Sequence, residues 1–241
     1  MTVYRNIVGA ALTIATVSLL GACDNSDPGD PEIDPSYRTV LDDETTSGER
    51  GSMMVNEINF AGSVDNDGNY DPDDIFIELW NKHPRPVRLT GWRLEIRGDY
   101  HRSYRIPEND RLVYPNEYFV IAKKRDGAFG DVADVFIDDL RLGKKYVKIV
   151  LRDADRRRME DAGSTEEEVF SGGWDTVTVR TMERAQVLFG NRGGSAVNWH
   201  AYSQDEGFST IRAEYRNRTL GSPGASNSPD YSGNSSSGNF E

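Results

Sequence analysis

Residues 75–97 contain a strand, a proline-rich turn and a second strand, and this stretch restricts the chain most strongly to a β fold. Ile75, Ile77 and Leu79 share one face of the first strand, because apolar residues at every second position lie on the same side of a β-strand. The turn holds two prolines, which cannot donate a backbone N–H to a sheet. We therefore expect the two segments to form a half-buried antiparallel pair.

The second strand changes parity at Thr90-Gly91. Leu89 and Val87 lie on one parity before this point, whereas Trp92 continues the apolar pattern on the other. A slip of one residue would expose the buried face of the strand. The change of parity therefore predicts a β-bulge or a sharp bend at this dipeptide.

The rest of the mature chain reads as short strands with frequent turn signals and without long helical periodicity. The further predicted strands are 54–60, 104–106, 111–114, 117–122, 145–152, 156–162, 176–180 and 183–189. Residues 164–173 are ambiguous, since Ser164 before three glutamates is also typical of a capped helical turn. If seven to nine of these candidate segments form short strands, they predict an all-β sandwich.

The N-terminus carries an export signal. Arg5 precedes an uncharged apolar run at 7–20, and Leu20-Gly21-Ala22-Cys23 follows it. This ending resembles the lipobox of bacterial lipoproteins, which implies cleavage after residue 22 and a lipid on Cys23. An ordinary signal peptide or a short membrane anchor remains the alternative. Cys23 is the only cysteine of the chain, so an intrachain disulfide is excluded.

Composition divides the remainder into a folded part with polar extensions. Residues 1–22 form the signal peptide, and 23–52 form an acidic, disordered tether with nine acidic and two basic side chains. Residues 53–227 form the folded domain, and 228–241 form a disordered tail rich in Ser, Gly and Asn.

Five sequence blocks in the folded part together resemble the lamin-tail domain. They are Val55-Asn56-Glu57-Ile58, Phe76-Ile77-Glu78-Leu79-Trp80-Asn81 with Val87-Arg88-Leu89-Thr90-Gly91-Trp92-Arg93-Leu94, Pro115-Asn116-Glu117-Tyr118-Phe119-Val120-Ile121, Arg180-Thr181-Met182-Glu183-Arg184, and Leu220-Gly221-Ser222-Pro223-Gly224-Ala225-Ser226-Asn227. The resemblance implies an immunoglobulin-like, antiparallel β-sandwich. The loop at 61–74 and the charged region at 153–173 are longer than the family pattern.

The residue content argues against most enzyme classes. His83, His101 and His200 do not stand at metal-ligand spacing, and the sequence has no serine-elbow motif and no phosphate-binding glycine loop. Glu78 alternates with apolar residues, and we expect it to be tied to backbone N–H groups or to an arginine such as Arg184 rather than to act as a catalytic acid. The net charge of −12 disfavours a nucleic-acid partner.

One loop offers a candidate metal site. Residues 63–74 (SVDNDGNYDPDD) concentrate the hard oxygen ligands that Ca²⁺ prefers. The candidate ligands are Asp65, Asp67, Asn69, Asp71, Asp73 and Asp74. Compared with an EF-hand calcium loop, the first position, Ser63, is not acidic and the last, Asp74, is not glutamate. A solvated acidic loop is therefore the competing interpretation. No cofactor other than calcium is expected.

These features predict a non-catalytic interaction module that is lipid-anchored to the inner or outer membrane of a bacterial cell envelope. Its partner would be an envelope protein or a glycan, contacted by loops 61–74, 98–110 and 153–173. A calcium- or carbohydrate-binding adhesin is one alternative, and an envelope hydrolase or its accessory subunit is another. An aromatic stacking face would support the adhesin, with Tyr100, Tyr104, Trp174, Trp199 and Tyr202 as its candidates.

Overall fold

Short strands make up almost all regular structure of the computed structural model, which describes residues 50–185 and 192–231. The strands are β1 (Met53–Asn59), β2 (Ser63–Val64), β3 (Tyr70–Asp71), β4 (Phe76–Asn81), β5 (Val87–Arg88), β6 (Arg93–Gly98), β7 (Arg102–Arg105), β8 (Leu112–Val113), β9 (Tyr118–Ala122), β10 (Val135–Phe136), β11 (Val147–Arg152), β12 (Arg158–Ser164), β13 (Gly173–Trp174), β14 (Val179–Arg180), β15 (Met182–Arg184), β16 (Trp199–Ala201) and β17 (Thr219–Leu220). A single 3₁₀ turn, Ala196–Asn198, is the one helical element of the described residues.

Two sheets pack face to face, which confirms the predicted all-β sandwich. The large sheet has six strands in the order β10-β9-β4-β1-β15-β16, and the small sheet has four in the order β12-β11-β6-β7. Neighbours are antiparallel except β9 and β10. Three minor sheets, β13-β14-β17, β2-β3 and β5-β8, lie outside this pair.

The core lies between the two sheets and follows the period-two pattern of the sequence. Leu79 and Phe119 point inward from the large sheet, Leu94 and Ile149 point inward from the small sheet, and Trp92 is fully buried with them. Burying each such side chain contributes about 1.5–3 kcal/mol relative to leaving it exposed. The alternation that predicted the strands therefore also stabilises the packing of one sheet on the other.

The predicted pairing within residues 75–97 is wrong. β4 lies between β1 and β9 in the large sheet, whereas β6 lies between β7 and β11 in the small sheet. The chain crosses between the sheets, and the bend expected at Thr90-Gly91 is confirmed by the positive φ of 81° at Gly91. Alternation specifies which face of a strand is buried, but both sheets bury one face in the same core, so the pattern does not specify the sheet.

The folded region extends past both predicted limits. Gly51 donates its N–H to Met159 O at 3.0 Å, and Lys82 donates to Ser52 O at 2.8 Å, so the end of the predicted tether is bonded to the sandwich. At the other end Ser228, assigned above to a disordered tail, is buried and bonded to Glu183. Cys23, the remainder of the tether and residues 232–241 lie outside the described residues.

Two further points concern helices. The hydroxyl of Ser164 accepts the backbone N–H groups of Glu166 and Glu167 at 3.1 Å each, which makes a local turn instead of the helical turn considered above. Within residues 50–185 and 192–231, no helix is long and apolar enough to cross a membrane.

Candidate functional site

Three glutamates form a row across the outer face of the large sheet. Glu57 of β1 stands directly opposite Glu78 of β4 on one side and Glu183 of β15 on the other. His200 of β16 continues the row next to Glu183. All three carboxyl side chains are fully buried, so this outer face does not meet solvent at the row.

The segment that covers the row is residues 219–229, called here the C-terminal strap. It gives one backbone N–H to each carboxyl group. Ser222 donates to Glu57 at 2.9 Å, Gly224 donates to Glu78 at 2.6 Å, and Ser228 donates to Glu183 at 3.0 Å. A sheet face that would otherwise hold three uncompensated buried acids is thus satisfied by the strap.

Side chains complete the hydrogen bonding of the row. Asn56 donates to Glu78 at 2.8 Å, and the hydroxyls of Ser222 and Ser228 donate to Glu183. Gly221 gives the strap its close approach, because a Cβ there would lie 2.6 Å from Thr181 Cγ2 and 2.8 Å from Glu57 Oε1. Glycine is thus required at this position by contact distance alone.

Burial makes these carboxyl groups unusually weak acids. It raises the pKa of Glu78 to about 8, against the opposing hydrogen bonds from Asn56 and Gly224. Burial, together with the charges of Glu183 and Glu78, raises the pKa of Glu57 well above its ordinary value. The pKa of Glu183 is also raised by burial, although Ser222 and Ser228 hydrogen-bond to it. The row therefore favours shared protons over three negative charges, and its oxygens are buried beneath the strap.

The prediction for Glu78 is confirmed in one of its two forms. A backbone N–H does bind this carboxyl, whereas Arg184 points into the space between the sheets. There the guanidinium pairs with Glu160 and lies 5.5 Å from the ring centroid of Trp199. Burial raises the pKa of Glu160 to about 7 despite the Arg184 charge.

The proposed calcium ligands point to different neighbours. Asp65 accepts the N–H and the amide of Asn69 at 2.8 Å each, and the exposed loop tip carries Asp67. Asp71 pairs with Lys124, Asp73 pairs with Lys123 at 2.6 Å, and buried Asp74 accepts from Ser63 at 2.6 Å and from the N–H of Ala128 at 2.7 Å. In the described part of the chain no three acidic, histidine or cysteine side chains are grouped as a metal site. Four of the six proposed ligands, Asp65, Asp71, Asp73 and Asp74, therefore already bond to lysines or to other protein donors.

The five aromatic candidates do not share a face. Tyr104, Trp199 and Tyr202 are buried, so they are excluded from ligand stacking. Trp174 is exposed, but it stacks on Tyr70 with the ring centroids 3.9 Å apart. Tyr100 and Trp174 are the exposed members of the set, so a stacking face built from all five is excluded.

The outer face of the small sheet is different, since it is open and basic. Four arginines stand in register across its four strands, one on each of β7, β6, β11 and β12: Arg105, Arg93, Arg152 and Arg158. A bulge at Met159 keeps Arg158 on this face, since Arg152 pairs with Arg158 while Leu151 pairs with Glu160.

Beside the four arginines, this open arginine face carries two more cations, Arg97 and Lys148, and two carboxylates, Glu95 and Asp161. Glu95 binds Arg97 and Arg152, and these contacts outweigh the effect of burial and lower the pKa of the carboxyl. Burial opposes ionisation of Asp161, but hydrogen bonds from Arg158 and Lys148 lower its pKa. Both acids are therefore charged, and basic groups still outnumber them on the face.

A shallow cleft of about 490 Å³ lies beside the arginine row. Its lining residues are Arg93, Glu95, Ser103, Arg152 and Arg156. Arg156 belongs to the β11–β12 turn and has a positive φ of 67°, a conformation that few non-glycine residues adopt. Sequence reasoning missed this site, although Arg93 and Arg97 on the same face of β6 were a visible signal.

Neither protein-family models nor curated proteins give a match to this chain. The resemblance to the lamin-tail domain therefore rests on the five sequence blocks. Two surfaces stand out in the geometry: the sealed carboxyl row and the open arginine face.

Proposed function

We propose that the chain is a lipid-anchored, non-catalytic binding module of a bacterial cell envelope. Its lipid is attached at Cys23, the acidic tether holds the sandwich away from the membrane, and the sandwich belongs to the lamin-tail family. The open arginine face is the contact surface for an envelope ligand. The observation that carries the proposal is the contrast between a fully sealed carboxyl row and an open basic face.

The sealed row supports a binding role over a catalytic one. A catalytic acid must come within hydrogen-bond distance of a substrate atom. Glu57, Glu78 and Glu183 are instead saturated by the C-terminal strap, and their side chains are fully buried. Their raised pKa values follow from burial under the strap, so they do not by themselves indicate an active site.

The open face supports binding on a rigid platform. It is built from four paired strands, and its aliphatic stems and charges cover Val150, which is only 3% exposed. This contact surface coincides only in part with the three loops expected from the sequence. Arg156 of the 153–173 region and Ser103 of the 98–110 region line the cleft, whereas no residue of 61–74 does.

The anchor is tested by metabolic labelling of the full-length protein, expressed in a bacterium, with an alkyne analogue of palmitate. We expect label on the wild type and on a Ser26→Ala control, and none on Cys23→Ala. Wild type and Ser26→Ala should also fractionate with membranes, because two or three acyl chains give stable anchoring. Equal labelling of Cys23→Ala and wild type would exclude the lipid at this position.

A further inference from the structure

The arginine row has the geometry of a receptor for repeated negative charges. Neighbouring strands lie about 4.8 Å apart, so four arginines in register present a positive group at about that interval across the sheet. Each guanidinium offers a planar pair of donors that matches a carboxylate or a phosphate. In the described residues, no ion pair is formed by Arg93, Arg105 or Arg156, so these three retain free binding capacity.

The cleft beside the row adds groups that recognise hydroxyls. Ser103 and Glu95 line it together with Arg93, Arg152 and Arg156. A carboxylate accepts hydrogen bonds from sugar hydroxyls, whereas it repels a phosphate. Glu95 and Asp161 stand within the basic face, so a ligand that carries only anionic groups would meet like charges.

A lipid surface fits the face less well. Peripheral binding to a bilayer combines basic residues with apolar side chains that enter the headgroup region. The large exposed apolar side chains of residues 50–185 and 192–231 lie elsewhere, and the strands of the small sheet contain none of them. The solvent-exposed part of the face is therefore polar.

We propose that the open arginine face binds a linear acidic polysaccharide whose sugars bear carboxylate groups. Each carboxylate pairs with an arginine of the row, and the hydroxyls of the same sugars contact Ser103 and Glu95. Several weak contacts along one chain combine into a higher effective affinity. The inference deepens the proposed function, on which it rests, by naming the ligand class of its contact surface.

Binding of detergent-solubilised full-length protein to biotinylated oligogalacturonate on a biosensor tests the assignment. The neutral comparison is the same oligomer with its carboxylates methyl-esterified. We expect binding to the acidic oligomer only, and Arg93→Gln should weaken it about tenfold, because hydrogen bonds between charged groups are the strong ones. Arg105→Gln provides an independent second variant. Arg102→Gln is the matched control, since Arg102 lies on the same sheet but opposite Ile96, on the other parity.

Several outcomes would overturn the inference. They are equal binding of the esterified oligomer, unchanged affinity in both Arg93→Gln and Arg105→Gln, or tighter Arg93-dependent binding of inorganic polyphosphate or phosphatidylglycerol vesicles. Circular dichroism confirms that each variant is folded. The labelling result at Cys23 is independent of these arms, so loss of the anchor and loss of the glycan assignment are distinguishable.

Discussion

The two outward faces of the sandwich both carry a row of like charges in register, yet the rows meet opposite conditions. On the large sheet, Glu78, Glu57 and Glu183 lie beneath the C-terminal strap. On the small sheet, the arginine row lies open to solvent. Like charges directly opposite each other on neighbouring strands are destabilising, so each face must relieve the same repulsion by its own means.

A glutamate side chain can lose its charge in a protein, whereas an arginine side chain cannot. A buried carboxyl group can take a proton, and the strap supplies donors for the oxygens that remain. Arginine does not deprotonate in proteins, so a row of arginines stays charged at all physiological pH values. The covered face therefore resolves its repulsion internally, whereas the open face is resolved by water, counter-ions or an anionic ligand. We therefore attribute a stabilising role to the covered face and propose the binding role for the open one.

The largest expected effect is the pH dependence of stability. Glu78 binds its proton more tightly when folded, with a pKa of about 8, than when unfolded, near 4.5. Its contribution is therefore fully present below pH 4.5 and is lost as the pH rises to about 8, at roughly 1.4 kcal/mol per pH unit. Glu57 and Glu183 are shifted in the same direction. Urea unfolding between pH 5 and pH 8 should show falling stability, with a shallower slope in Glu78→Gln. If the stability of the wild type rose over this range, the covered face would not hold its glutamates in the protonated form, and the contrast with the open face would be lost.

A second prediction concerns the contact between strap and sheet. Gly221→Ala places a methyl group 2.6 Å from Thr181 Cγ2 and 2.8 Å from Glu57 Oε1. We expect a loss of about 2–3 kcal/mol in the free energy of unfolding, as for other overpacked sites. Gly194→Ala is the control, because its nearest neighbour would be Gly163 O at 3.8 Å. Equal stabilities of the two variants in urea titrations would show that the strap does not lie against Glu57.

A smaller effect is expected at the end of the strap. Ser228→Ala removes a hydroxyl that donates to Glu183 and accepts the N–H of Ser203 at 2.9 Å. The expected loss is about 1–3 kcal/mol, the range for leaving buried polar groups unpaired. Ser226→Ala serves as the control, since this exposed hydroxyl has only a 3.4 Å bond from Tyr118. Thermal or urea unfolding of both variants measures the difference, and a neutral Ser228→Ala would place the tail outside the fold after all.

The smallest effect on the free energy of unfolding is expected on the open face, where we expect a gain in stability and not a loss. Arg93 stands between Arg105 and Arg152, so Arg93→Gln relieves repulsion and should raise the free energy of unfolding by about 0.2–1 kcal/mol. Arg102→Gln should change it by less than about 0.5 kcal/mol. Stabilisation together with weaker ligand binding is the signature of a surface maintained for binding. A destabilised Arg93→Gln would indicate that the row serves the fold.

The fold was predictable from alternation, but the sheet of each strand was not. Ile77 and Leu79 correctly indicated a half-buried strand, and Gly91 correctly indicated a bend. Their assignment to one antiparallel pair with Leu94 and Ile96 was wrong, because strands of both sheets bury the same kind of face. The pairing of β4 with β1 and β9 depends on contacts far apart in sequence, which period-two patterns do not encode.

The candidate site was predictable only in part, because its contacts also join residues far apart in sequence. The tie of Glu78 to backbone N–H groups followed from its place on a buried strand, yet its partner Gly224 is 146 residues away. The arginine row exists only through the register of β6 with β7 and β11 and through the bulge in β12. The acidic loop at 63–74 was conspicuous in sequence, but lysines from a distant segment pair with its aspartates. Local composition therefore indicated the loop, whereas tertiary register built the site.

The comparison between the faces is tested most directly by carbon-detected NMR titration of two glutamate carboxyl groups in one sample. Glu78 represents the covered face and Glu95 the open face, and Glu78→Gln and Glu95→Gln assign the signals. The account predicts that Glu78 titrates near pH 8 and that the pKa of Glu95 lies below its usual value of 4.5, owing to Arg97 and Arg152. Titration of both groups near 4.5 would contradict it, because the strap would then not seal the carboxyl row and the arginines would not act on Glu95.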